Sequence, residues 1–175
     1  MSDLFLHGIQ NVTADDGARP ITTVRSSTIG LIGSAPEADP LIFPLNKPVL
    51  IAGSRTLAAK LGETGTLPQA LDSIFDQIGA VVIVVRIDEE ETAPATLANV
   101  IGGVDANTGT YEGVHAFLAS ENITGFVPKI LIAPGFTHTR TEAVGETPAT
   151  SNPVVAELIG IAERLKAVIV ADGPN

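Results

Sequence analysis

Residues 80–87, Ala-Val-Val-Ile-Val-Val-Arg-Ile, constrain the fold more than any other stretch of the sequence. Seven of these eight residues are apolar and most are β-branched, which is typical of a strand buried on both faces. Such strands lie inside a sheet that helices cover on both sides. The one charged residue is Arg86, near the end of the stretch, where we expect its polar tip to reach solvent or a partner.

An amphipathic helix is predicted immediately before this strand. Its apolar face repeats at helical spacing and consists of Leu67, Ala70, Leu71, Ile74, Phe75 and Ile78. Asp72, Asp76 and Gln77 fall on the opposite face. Thr66 is the expected N-cap, and Pro68 lies in the first turn, where proline is tolerated. The helix is therefore expected to pack on the sheet and to lead directly into the buried strand.

The rest of the chain alternates between predicted strands and helices. The further strands are 28–33, 49–52, 129–134 and 167–171, of which the last three are expected to be buried. The further helices are 55–61 after a Ser54 cap, 95–101, 111–121 and one that begins at Asn152–Pro153. The glycine-rich stretch 102–109 matches neither phosphate-binding motif and is interpreted as a flexible connection. This alternation predicts an α/β fold, with a largely parallel or mixed sheet and flanking helices.

The first 20 residues do not fit that compact body. Leu4-Phe5-Leu6 is apolar, residues 7–12 alternate weakly, and Asp15-Asp16-Gly17 is a turn signal. The segment is consistent with an extended arm that pairs with another surface, with an edge strand of the chain's own sheet, or with a frayed terminus. The residues alone leave these three alternatives open for 1–20, and the α/β body comprises 21–175, with room for a smaller subdomain or insertion around 88–128.

Composition excludes several classes of function. The net charge is −10, from 20 acidic and 10 basic residues, which argues against nucleic acid as a main partner. The chain has no cysteine, so disulfides, thiolate metal sites and cysteine nucleophiles are excluded. The N-terminus lacks the features of a signal peptide, and no apolar run is long enough for a membrane span. We expect a soluble protein of a cytoplasm-like compartment.

Ligands of open α/β sheets bind at the carboxyl ends of the strands, so candidate chemistry is expected at the predicted strand ends. They carry Gly53-Ser54, Asp88-Glu89, Pro134-Gly135 and Asp172-Gly173. Ser54, His138 and Asp172 have no spacing that supports a catalytic triad, and the three histidines have no zinc-binding spacing. The acidic run 88–91 is interpreted as a solvated loop, with a magnesium site that includes Asp172 as the alternative. We predict no catalytic residue, no cofactor and no metal; a small α/β enzyme or nucleotide-binding domain that uses these loops is the alternative function.

A set of ordered segments resembles the contractile tail sheath proteins of myophages and related particles, in particular the shorter sheath proteins of P2-like phages. The segments are His-Gly-Ile at 7–9, Gly-Ala-Arg-Pro-Ile at 17–21, Ile-Gly-Leu-Ile-Gly-Ser-Ala at 29–35, and those at 46–53, 61–67, 82–86, 99–103, 108–113 and 128–135. No single segment is diagnostic, but their order and spacing are fairly specific. Together they span about residues 7–174.

The resemblance implies a structural function without catalysis. Sheath subunits stack around an inner tail tube and contract when the baseplate triggers them, in a virion tail that is assembled in the host bacterial cytoplasm. Terminal arms add strands to neighbouring subunits, which makes neighbouring copies, the tube and the baseplate the expected partners. The resemblance therefore favours an extended N-terminal arm over residues 1–20. Its residues expected to bind a neighbour are Leu4, Phe5, Leu6, His7, Gly8, Ile9 and Val12.

The chain also departs from this family. Sheath proteins are typically much longer, and their C-terminal domain carries the tube contacts and the sheet that receives the neighbour's arm. We therefore expect an N-terminal portion of a sheath protein that lacks the C-terminal tube-binding domain.

Overall fold

The structure is a computed structural model that describes residues 27–140 and 151–173. The predicted arm, 1–20, lies outside the described residues. The strands are β1 (Ile29–Ser34), β2 (Pro48–Ala52), β3 (Val81–Ile87), β4 (Gly103–Val104), β5 (Tyr111–Glu112), β6 (Ile130–Ile132) and β7 (Val168–Val170). The helices are α1 (Arg55–Ala58), α2 (Thr66–Gln77), α3 (Ala93–Ile101), α4 (Ser120–Thr124) and α5 (Pro153–Leu165), with 3₁₀ helices at Ala59–Leu61 and Gly113–Ala119.

The main sheet is mixed and has the strand order β2-β3-β1-β6-β7. Strands β3, β1, β6 and β7 are parallel, whereas β2 runs antiparallel to β3. The α/β fold with flanking helices is thus confirmed. β3 lies inside the sheet between β2 and β1, and every residue from Val82 to Ile87 is buried, as its sequence predicts.

Two apolar cores lie on opposite faces of the sheet, because successive side chains of a strand point to opposite sides. Ile83, Val85 and Ile87 of β3 pack into the core that α3, α5 and the 3₁₀ helix Gly113–Ala119 cover. Val82 and Val84 pack into the other core, beneath α2. β3 therefore contributes to both cores and links them through the sheet. None of the helices within 27–140 and 151–173 combines the length and apolar composition that a membrane crossing requires.

The start of α2 differs from the prediction. Gly65 is the N-cap, with φ of 99°, and Thr66 is the first helical residue. The Thr66 hydroxyl accepts the Ser34 N–H at 3.1 Å, and the Thr66 N–H donates to the Ser34 hydroxyl at 3.4 Å. A Cβ on Gly65 would lie 2.4 Å from the Ser34 carbonyl oxygen, so only glycine fits this approach. The helix also ends before Ile78, whose extended backbone leaves its side chain 66% exposed instead of on the apolar face.

Arg86 is buried, contrary to the expectation that its tip reaches solvent or a partner. Only 9% of the residue is exposed. Its Nε donates to the Phe43 carbonyl at 2.7 Å, and a terminal nitrogen donates to the Ala35 carbonyl at 3.4 Å. The loop between β1 and β2 folds over the end of β3 and supplies these acceptors. The guanidinium therefore fixes that loop, because a buried charge is stabilised only where carbonyls or carboxylates surround it.

Residues 102–112 form an ordered hairpin, where the sequence predicted a flexible connection and the start of a helix. β4 and β5 are antiparallel, and the Asp105 carboxylate organises the turn by accepting the Asn107 N–H at 2.8 Å and the Thr108 hydroxyl at 2.6 Å. Gly113, with φ of 56°, then donates its N–H to the Asn46 side chain at 3.0 Å. The predicted helix therefore begins at Gly113, two residues later than expected, in 3₁₀ geometry.

The final helix and strand show one success and one failure of the sequence interpretation. Asn152 caps α5 as predicted, since its side chain accepts the N–H groups of Val154 and Val155. β7 was predicted to be buried, but Val168 is 66% exposed and Val170 is 50% exposed. The reason is its position at the edge of the sheet, where α5 covers only one of its faces.

Candidate functional site

The carboxyl ends of the parallel strands lie side by side at one end of the sheet, as parallel topology requires. Asp172, after β7, accepts the Gly135 N–H and the Thr137 hydroxyl, each at 3.2 Å. The Asp172 N–H returns a hydrogen bond to the Thr137 hydroxyl at 2.9 Å. The structure therefore brings together two of the predicted strand ends, and the Asp172 carboxylate serves to join them.

A cleft of about 620 Å³ lies at these carboxyl ends. Its lining includes Ser34, Thr66, Glu89–Glu91, Gly135 and His138. The chemistry of the lining does not suit a phosphate ligand, because three glutamates stand on its rim. The first N–H of α2 is also occupied, since Thr66 donates to Ser34. The described residues contain no group of three or more acidic or histidine side chains arranged to hold a metal ion.

The hypothetical triad is not assembled. Because β2 is antiparallel, Gly53-Ser54 lies at the amino ends of the parallel strands, next to Ala80, to whose carbonyl the Gly53 N–H donates at 3.1 Å. Ser54 there caps α1 by accepting the Leu57 N–H. His138 lines the cleft at the carboxyl ends of the parallel strands, as far along the sheet as Asp172. The direction of β2 therefore separates Ser54 from His138 and Asp172.

Electrostatic perturbation is found away from the cleft. The pKa of Asp105 is lowered from its usual value of 3.8, mainly by the hydrogen bond from the Thr108 hydroxyl and then by the Asn107 N–H. This carboxylate lies in the β4–β5 turn, where its hydrogen bonds shape the backbone. Its role is therefore structural.

Two exposed apolar surfaces lie elsewhere among the described residues. A groove of about 320 Å³ beside β2 is lined by Leu45, Pro48, Tyr111 and Ile123 among others. At the edge strand on the opposite side of the sheet, β7, the exposed Val168 and Val170 form a second apolar surface. Sequence reasoning missed both, because edge position depends on strand order. The predicted arm residues, Leu4 to Ile9 and Val12, lie outside the described residues, so their role stays a prediction.

Comparison with known proteins points in one direction. A family model described as "Tail sheath protein Gp18 domain III N-terminal region" matches residues 26–87. The chain is 43% identical over 141 residues to the tail sheath protein of Escherichia phage P2. This alignment covers 77% of this chain and 35% of that protein. It is 35% identical over 170 residues to the major tail sheath protein of Serratia phage KSP20, covering 95% of this chain and 40% of that protein. This chain belongs to the tail sheath protein family.

The family match maps onto the fold in a simple way. Residues 26–87 comprise β1, β2, α1, α2 and β3, and so include three of the five strands of the main sheet. The resemblance inferred from ordered sequence segments is thereby confirmed. This tail sheath chain spans 35% to 40% of the length of the two relatives described above.

Proposed function

We propose that this chain is part of a structural subunit of a contractile phage tail sheath, which polymerises around the inner tail tube and contracts to drive it through the host envelope. The observation that carries the proposal is similarity along 95% of the chain to a protein named a major tail sheath protein. Its partners are neighbouring sheath subunits, the inner tube and the baseplate. Its location is the virion tail, after synthesis in the host bacterial cytoplasm, and it has no catalytic role.

The architecture supports a body that moves as one unit. β3 contributes side chains to both cores, so the layers on either side of the sheet are joined through it. The buried Arg86 ties the β1–β2 loop to the sheet, and the Ser34–Thr66 pair ties α2 to β1. A subunit that transmits contraction needs such rigidity, because interiors packed at high density resist deformation.

The arm completes the proposed subunit. Residues 1–20 form the extended arm, and Leu4, Phe5, Leu6, His7, Gly8, Ile9 and Val12 add a strand to a neighbouring copy while 21–175 form the body. Strand addition uses backbone hydrogen bonds for affinity and alternate side chains for specificity, so a short apolar segment suffices.

Electron microscopy tests this function directly. Protein expressed from the complete gene is expected to form ordered tubes in negative stain, and the same protein without residues 1–12 is expected to remain monomeric. Dispersed particles from the intact protein at every concentration and salt condition would contradict the sheath function. Normal tubes from the shortened protein would contradict the arm assignment alone.

A ligand screen separates this function from the enzyme alternative. Thermal denaturation with nucleotides, Mg²⁺ or phosphate is expected to show no saturable stabilisation, because glutamates dominate the rim of the cleft. Saturable stabilisation that disappears in Asp88→Asn or Asp172→Asn variants would favour an enzyme or nucleotide-binding domain.

A further inference from the structure

We draw no further inference here: the strongest candidate, the apolar groove beside β2 that Leu45, Pro48, Tyr111 and Ile123 line, carries none, because nothing among residues 27–140 and 151–173 shows what covers it.

Discussion

The two edges of the main sheet are built differently. At β2, Pro48 begins the strand, α4 lies against it, and the preceding loop is fixed by the buried Arg86. At β7, three β-branched residues end the sheet with one face covered by α5 and the other exposed. Among the described residues, β2 is thus a closed edge of the sheet and β7 an open one.

The largest expected change in stability comes from comparing two cations, Arg86 near the β2 edge and Lys129 near the β7 edge. Arg86→Met removes the donors to the Phe43 and Ala35 carbonyls and is expected to lower the free energy of unfolding by about 2–4 kcal/mol. The matched variant at the other edge, Lys129→Met, removes one donor to the Leu165 carbonyl at the end of α5 and is expected to cost about 1 kcal/mol. Urea denaturation measures both. Equal losses would contradict the view that the β2 edge is the more firmly fixed.

The next effect tests the two faces of β7 against each other. Ile169 packs into the core beneath α5, so Ile169→Ala is expected to cost about 2 kcal/mol. Val168 is largely exposed, so Val168→Ala is expected to cost about 0.5 kcal/mol or less in the monomer. Denaturation of dilute protein, where copies do not associate, gives both values. A large loss for Val168→Ala under those conditions would mean that another part of the same chain covers the edge.

A residue with positive φ precedes each edge strand, β2 and β7. Substitution by glycine is expected to change the free energy of unfolding in opposite directions at the two positions. Asn46 has φ of 56° and accepts the Gly113 N–H, whereas Lys166 has φ of 53° and is exposed at the end of α5. Asn46→Gly loses that acceptor and is expected to destabilise by about 1 kcal/mol. Lys166→Gly relieves backbone strain and is expected to stabilise by about 0.5–1 kcal/mol. The two shifts in urea midpoint should therefore have opposite signs, and shifts of the same sign would contradict this assignment.

Local patterns were sufficient where neighbours in sequence determine the structure. The β-branched run at 81–87 and the apolar stripe of α2 each carry their own signal, and Asn152–Pro153 marks the start of α5. The direction of β2 carries no such signal, because a short apolar run pairs equally well in either direction. Because β2 is antiparallel, Ser54 lies apart from His138 and Asp172, which the sequence alone could not determine.

Burial was harder to predict than secondary structure. β7 and β3 have nearly the same composition, yet one is exposed and the other buried, because burial depends on how many elements lie beside a strand. Arg86 shows the opposite error: a charge near a strand end is expected in solvent, but carbonyls of a distant loop enclose it. The family resemblance succeeded because it used the order of many segments instead of the environment of one residue.

The smallest effect concerns the hairpin beside the closed edge. The pKa of Asp105 is held below its usual 3.8 by hydrogen bonds that only the carboxylate form makes well. A group whose pKa is depressed in the folded state stabilises that state above its unfolded pKa, and the contribution is lost as the pH falls through the folded value. Acidification below 3.8 is therefore expected to loosen the β4–β5 turn and to raise amide exchange at Asn107 and Gly109, while β7 is unaffected. Asp105→Ala should show the faster exchange at every pH. A turn whose exchange, corrected for intrinsic rates, does not change with acid would mean that the backbone alone fixes the hairpin.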